Sequence, residues 1–317
     1  MKLILISPFT SPKRLFITGL LFCTVSCGGS GGSTEDPELV PTTVPTAIPS
    51  GEPSSEPTDE PTPEPSPEPS GEPADATTQL QCGASSGAVQ NNQLDSTAKA
   101  YLLCKHNETR SQIALGNFMG LNGNFEVATD MKRLQWDNKL ESVAQNWANQ
   151  CQWQHNSNRA NEYNALNPTD IDGNAVAGTI SVGENLAFFA STGHASASLQ
   201  YAINGYNAWV NEGQDYSMGQ YSVSDYCDNE PCGHFTQVVW ANSYKLGCAV
   251  NYCAAGTVHS LPSTLLVCNY ASAGNYIGQW PYETGNTPDD VCSTADTGQS
   301  VCRNGLTQSS GYQTGLP

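Results

Sequence analysis

Between Lys139 and Trp153, the side chains of Leu140, Val143, Ala144, Trp147 and Cys151 recur at intervals of three and four. That spacing puts them on one face of an amphipathic helix. Leu94 to Leu115 carries Ala98, Tyr101, Leu102, Ile113 and Leu115 around a charged middle and predicts a second helix, stopping near Gly116. Ala195 to Val210 predicts a third, with Leu199, Ile203, Tyr206 and Trp209 on one side. Later in the chain the pattern changes. Leu246 to Cys253 and Ser263 to Tyr270 predict two strands, joined by a turn containing Gly256. Phe235 to Trp240, with Val238 and Val239 between aromatic ends, also predicts a strand. Asn156 to Gly183, rich in Asn, Gly and Asp, predicts a long loop. Glu283 to Pro317 is polar, Gly- and Thr-rich and without period, and is expected to be a tail, fastened by a Cys292–Cys302 loop. Helices first and an antiparallel meander afterwards predict an α+β sandwich with helices covering a sheet.

The N-terminal quarter shows no such pattern. Lys2, Lys13 and Arg14 precede an apolar run from Leu15 to Val25. A membrane-spanning helix needs about 20 apolar residues, so this run fits the core of an export signal instead. Small residues surround Cys27, as in a bacterial lipoprotein signal, where that cysteine is acylated. Thr24 stands where such signals usually carry Leu, and an ordinary cleaved signal is the alternative. A proline then falls at every fourth position from Pro37 to Pro73. Proline removes backbone donors and fixes φ, so neither helix nor sheet is expected there. Residues 28–81 are read as a disordered, extended spacer, reaching on the order of 100 Å at about 3.1 Å per residue.

Charge supports this division. Residues 1–27 hold three bases and no acid, and residues 28–81 hold eleven acids and no base. The remainder is less one-sided, and the whole chain of 317 residues carries −18. So acidic a chain is not expected to bind nucleic acid, because phosphate contacts need a positive surface. The expected divisions are a signal over 1–27, the spacer over 28–81, a Cys-containing lead-in over 82–93, a folded domain over 94–284 and a tail over 285–317.

Ten cysteines follow the spacer: Cys82, Cys104, Cys151, Cys227, Cys232, Cys248, Cys253, Cys268, Cys292 and Cys302. An even number behind an export signal predicts a disulfide framework. No Cys-x-x-Cys cluster argues for a metal instead, and the pairing is open. Oxidised cysteines cannot serve as nucleophiles, and no Gly-x-Ser-x-Gly elbow is present.

Several stretches resemble one family. Gly-His-Phe-Thr-Gln-Val-Val-Trp at 233–240 is similar to a signature of the CAP superfamily, or SCP domain: cysteine-rich secretory proteins, antigen 5 and pathogenesis-related proteins. Cys-Asn-Tyr-Ala-Ser-Ala-Gly-Asn-Tyr at 268–276 resembles its second signature, and Gly-Glu-Asn-Leu at 183–186 its third. His106-Asn107-Glu108-Thr109-Arg110 resembles the first-helix motif. Leu134 to Cys151, with Trp136-Asp137 and Ala144-Gln145-Asn146-Trp147-Ala148, resembles the second-helix motif. These matches keep their order over about residues 95–282, and together with the Cys27 signal the chain resembles a bacterial secreted or lipoprotein member. Two departures stand out: Ser272 where the family often has Pro, and a long stretch from Asn156 to Val182.

The resemblance implies a disulfide-stabilised three-layer α-β-α sandwich. It also implies that His155, Glu184, Glu212 and His234 meet in a central cleft. Two imidazoles with nearby carboxylates suit a divalent metal, zinc first, and leave positions for water or substrate. A carboxylate beside metal-bound water would serve as a base, so Glu184 and Glu212 are catalytic candidates and His155 and His234 metal ligands. Family members with this cleft often lack demonstrated enzymatic activity. On the residues alone, His234 reads equally well as a core histidine and Glu184 as a turn cap. His106 reads as structural, and His194 and His259 as incidental. In related proteins the loop matching Tyr216 to Tyr226 has been linked to sterol and lipid binding. Tyr216, Tyr221 and Tyr226 are therefore ligand candidates, against the plainer reading of a packed surface loop. The expected role is an exported ligand-binding or interaction module. The alternatives are a metal-dependent hydrolase and a lipid binder. Expected partners are an extracellular ligand, lipid or protein, with membrane contact only through an anchor.

Overall fold

The computed structural model describes residues 76–217, 232–287, 290–292, 300–309 and 312–316. The expectations at Cys27, along the proline-rich spacer as far as residue 75, and at Tyr221, Tyr226 and Cys227 lie outside those residues. A short hairpin, β1 (Val89–Gln90) and β2 (Gln93–Leu94), leads into α1 (Ser96–Ala114). The strand pairs follow as β3 (Met119–Gly120), β4 (Gly123–Asn124), β5 (Val127–Ala128) and β6 (Gln135–Trp136). Next come α2 (Asn138–Ala148), α3 (Arg159–Asn164), β7 (Val182–Ala190) and α4 (Leu199–Asn211). The chain continues through a single 3-10 turn, Glu212–Gln214, to α5 (Gly233–Val238), β8 (Lys245–Cys253) and β9 (Ser263–Ala271). It closes with β10 (Thr284–Gly285), β11 (Ser300–Arg303) and β12 (Leu306–Ser309).

The central sheet runs β6-β8-β9-β7. The β7–β9 and β8–β9 ladders are antiparallel over nine residues each, and β6 pairs with β8 in parallel. Side chains alternate between two buried faces. Leu186, Phe188, Leu265 and Val267 pack with Ala144 and Ala148 of α2. Ala187, Leu246, Val250 and Leu266 pack with Leu102, Tyr206, Trp209 and Phe235, from α1, α4 and α5. Helices therefore cover both faces, which is the three-layer α-β-α arrangement the sequence predicted.

Local chemistry explains where the helices begin and end. Asp95 caps α1 by accepting from Ala98 N at 2.7 Å. Asp137 caps α2, accepting from Lys139 N and Leu140 N at 2.9 Å each. Gly116 leaves α1 with φ +69°, a conformation that favours glycine. The polar middle of α1 is buried rather than solvated. Arg110 donates to the carbonyls of Lys132, Val238, Trp240, Ala241 and Ser243. It thereby ties α1 to the exit of α5 and to the chain entering β6.

Four expectations need correction. Phe235 to Trp240 is not a strand: α5 covers Gly233–Val238, and all six of its residues are buried. A short segment buried all round has no periodic contrast by which to tell helix from strand. The Asn156–Gly183 loop contains α3 and ends in β7. Gly183, Glu184 and Asn185 look like turn residues, yet they open a nine-residue strand whose polar groups find internal partners. The C-terminal stretch is more than a tail: β10 pairs with β5, and β11 with β12. Arg133 N donates to Thr307 O at 2.8 Å, and Trp136 N to Thr314 O at 2.7 Å. Asn304 and Gly305, at φ +57° and +72°, make the two-residue turn of that last hairpin.

The disulfides join Cys82 to Cys104, Cys151 to Cys253, Cys248 to Cys268 and Cys292 to Cys302. Cys232 is also disulfide-bonded.

Candidate metal site: two histidine–glutamate pairs

Glu184 sits third in β7, with its side chain fully buried. Its Oε1 meets His155 Nδ1 at 2.9 Å and accepts from Asn156 N at 2.9 Å. The chain carrying His155 is held from three sides. Trp147 Nε1 donates to Gln154 O at 2.8 Å. Arg159, the first residue of α3, donates to Asn156 O at 2.8 Å and to Val182 O at 2.7 Å. Asn156 Nδ2 donates to Glu162 Oε2 at 2.8 Å. α3, absent from the sequence reading, is thus the brace that presses His155 against β7.

Glu212 begins the turn after α4. Its Oε1 meets His234 Nδ1 at 2.6 Å. Its Oε2 accepts from His234 N at 3.0 Å and Phe235 N at 3.1 Å. One carboxylate therefore orients the imidazole and satisfies two of the donors that a helix start leaves without partners. The His234 ring stacks on Trp209, with centroids 5.9 Å apart and planes 15° apart. Gly213 permits the approach of Phe235: a Cβ there would lie 2.5 Å from the Phe235 ring.

The two pairs hang on adjoining elements. Asn185, next to Glu184, donates to His234 O at 3.0 Å and to Tyr270 OH at 3.2 Å. Gly183 brings β7 against α5, where a Cβ would run into the Gln237 amide. In both pairs Nδ1 faces a carboxylate. In a neutral imidazole that arrangement favours the tautomer with the proton on Nδ1, facing the acceptor, and the lone pair on Nε2. An imidazole so held by a carboxylate is the common second-shell arrangement around zinc. The donor set therefore fits a divalent metal, with His155 and His234 as the residues that would hold it.

The remaining candidates fall elsewhere. Tyr216 is buried among Phe118, Phe125 and Phe235 and lines the core. His106 is structural, as its place on the helix suggested. Its Nδ1 donates to Leu102 O at 2.8 Å and its Nε2 accepts from Tyr270 OH at 3.0 Å. It also lies close to Cys248 and Cys268. Those sulfurs are joined to each other, so they offer no thiolate to a metal. His194 lies outside the pairs, buried, and shares a hydrogen bond with Thr264 Oγ1 at 2.8 Å. His259 stacks on Phe188. A cavity of about 470 Å³ lined by Asp130, Asn242, Trp280 and Glu283 includes none of the four site residues. The signal sequence reading missed was Asn156 with Arg159, whose polar spacing looked like loop.

The comparisons agree with this architecture. Residues 103–270 match the Cysteine-rich secretory protein family, CAP. That is more than half of the chain, and the chain belongs to this family. GLIPR1-like protein 1 of Bos taurus is 37% identical over 199 residues, spanning 63% of this chain and 68% of its own length. Venom allergen 5 of Rhynchium brunneum is 32% identical over 204 residues, spanning 64% of this chain and 78% of its own. A crystal structure of NaASP2 with Zn2+ superposes with a TM-score of 0.52 at 26% identity, covering 69% of this chain and 99% of that one. The relatives named here from sequence are animal proteins and lend the bacterial lipoprotein reading no support.

Proposed function

We propose that this is an exported binding module whose two His–Glu pairs together hold one divalent metal, zinc. The carrying observation is that each Nδ1 is anchored on a carboxylate, which turns each Nε2 away from that carboxylate as a ligand atom. The structure of a relative with Zn2+ supports the choice of metal. The even cysteine count and the secretory character of the family support an extracellular setting. Bound zinc would supply a Lewis acid; this chain's two carboxylates orient the imidazoles that would hold it.

A hydrolytic role is the second reading, and one observation favours it. Glu212 has both oxygens committed to α5 and His234, which leaves it poorly placed as a base. Glu184 has one oxygen, Oε2, buried and without a protein donor among the described residues. Glu184 is therefore the better base candidate. The packing of Tyr216 in the core favours the plainer reading of its loop over a tyrosine-lined lipid slot.

The test is a calorimetric zinc titration of the oxidised protein against His155→Ala and His234→Ala. About one zinc per chain, lost in either variant, is expected. Titration curves unchanged by both substitutions would contradict a shared histidine site.

A further inference from the structure

Glu184 and Asn269 face each other directly across the β7–β9 ladder. Registered partners put their side chains on the same face, with Cβ atoms about 4.5–5.5 Å apart. Asn269 is fully buried, as is the Glu184 side chain. Glu184 Oε1 is occupied by His155 and Asn156, but Oε2 has no partner among the described residues. Among the same residues, neither Nδ2 nor Oδ1 of Asn269 has one either. Three buried polar atoms on two facing side chains thus share one unmet need.

Their surroundings offer no help. On the same face, Leu186 and Val267 lie to one side and Val182 and Ala271 to the other, all in apolar clusters. Leaving each such atom unpaired costs about 1–3 kcal/mol, and buried polar groups in native proteins nearly always find partners. A direct Glu184–Asn269 bond would join Oε2 to Nδ2 and leave Oδ1 orphaned. A water molecule answers the set better. It has two hydrogens for the two acceptors, Oε2 and Oδ1, and lone pairs for Nδ2.

We infer that Glu184 and Asn269 hold an ordered water between them, with Asn269 as its positioning residue. The inference rests on the reading that Glu184 belongs to the functional cleft, and it does not require zinc. Glu184 then has two roles, orienting His155 through Oε1 and holding a polar group through Oε2. The same place would accept a hydroxyl or amide of a bound ligand in exchange for the water.

The test is a crystal structure of the chelator-treated protein at about 1.5 Å or better. One solvent peak within about 2.6–3.2 Å of both Glu184 Oε2 and an Asn269 side-chain atom is expected. A direct Glu184–Asn269 bond with no solvent peak would overturn the inference. The peak should survive Asn269→Ser, which keeps a hydroxyl, and vanish in Asn269→Val. Its persistence in Asn269→Val would remove the positioning role. If the valine variant does not fold, the wild-type and serine structures still decide. A water present in a protein that ignores zinc would sink the metal reading alone; zinc binding without the water would sink this inference alone.

Discussion

A buried imidazole with both nitrogens already bonded has nowhere to put a second proton. His106 is in that position, and its pKa falls from 6.5 to about 3, mainly through burial. Its bond to Leu102 O works against the shift, and the charge of Arg110 adds to it. Unfolded, the same imidazole takes a proton below about pH 6.5. The contribution of neutral His106 is therefore complete above pH 6.5 and is lost as pH falls towards 3. Folding stability should drop with a slope approaching about 1.4 kcal/mol per pH unit from this residue. Chemical denaturation of His106→Gln between pH 7 and 4 should show a shallower slope than wild type. An identical slope would assign the acid loss to other groups. Arg110, unlike His106, has a role that only the structure reveals. Its guanidinium collects five carbonyls, and burial lowers its pKa to about 9. Arg110→Met should cost about 3–5 kcal/mol, because it strands those carbonyls at the exit of α5. A loss below about 1 kcal/mol in urea unfolding would mean that water replaces the guanidinium freely. Both residues stood in a recognisable helix motif, but the motif could not say what they touch.

Amphipathic helices and the two long antiparallel strands were legible because their contrast in hydrophobicity survives in the sequence. α5 was not, since every one of its residues is buried and no polar face marks a period. β7 was hidden for a related reason. Its polar residues point inward, Glu184 at the His155 imidazole and Asn185 at α5, rather than at solvent. The final hairpin had a local signal, Asn304-Gly305, the residue pair a two-residue hairpin turn prefers. Its flanking strands are only four residues each, and polar composition masked them. This element also has a mechanical role. Leu306 is fully buried, Tyr312 OH donates to Leu134 O at 2.7 Å, and Cys292–Cys302 closes the loop before the turn. Truncating the chain after Gly285 should lower the melting temperature by several degrees, since it exposes Met131 and Leu134. An unchanged thermal unfolding curve would return this stretch to the status of a tail.

At the scale of the whole molecule, the framework was legible in the sequence and the family resemblance nominated the four candidate site residues, while their pairing required the fold. His155 and Glu184 are separated by 29 residues, and Glu212 and His234 by 22. Neither separation signals which histidine meets which carboxylate. β7 and α5 settle that by bringing Glu184 to His155 and leaving His234 to Glu212. The Cys292–Cys302 bridge was expected from its short loop, but a pair such as Cys151 and Cys253, 102 residues apart, was beyond spacing. The central claim is that both imidazoles address one metal. Anomalous scattering from crystals soaked in zinc tests it most directly. One peak bonded to both His155 Nε2 and His234 Nε2 is the expected result. Two separate peaks, or one that touches only a single histidine, would contradict the account.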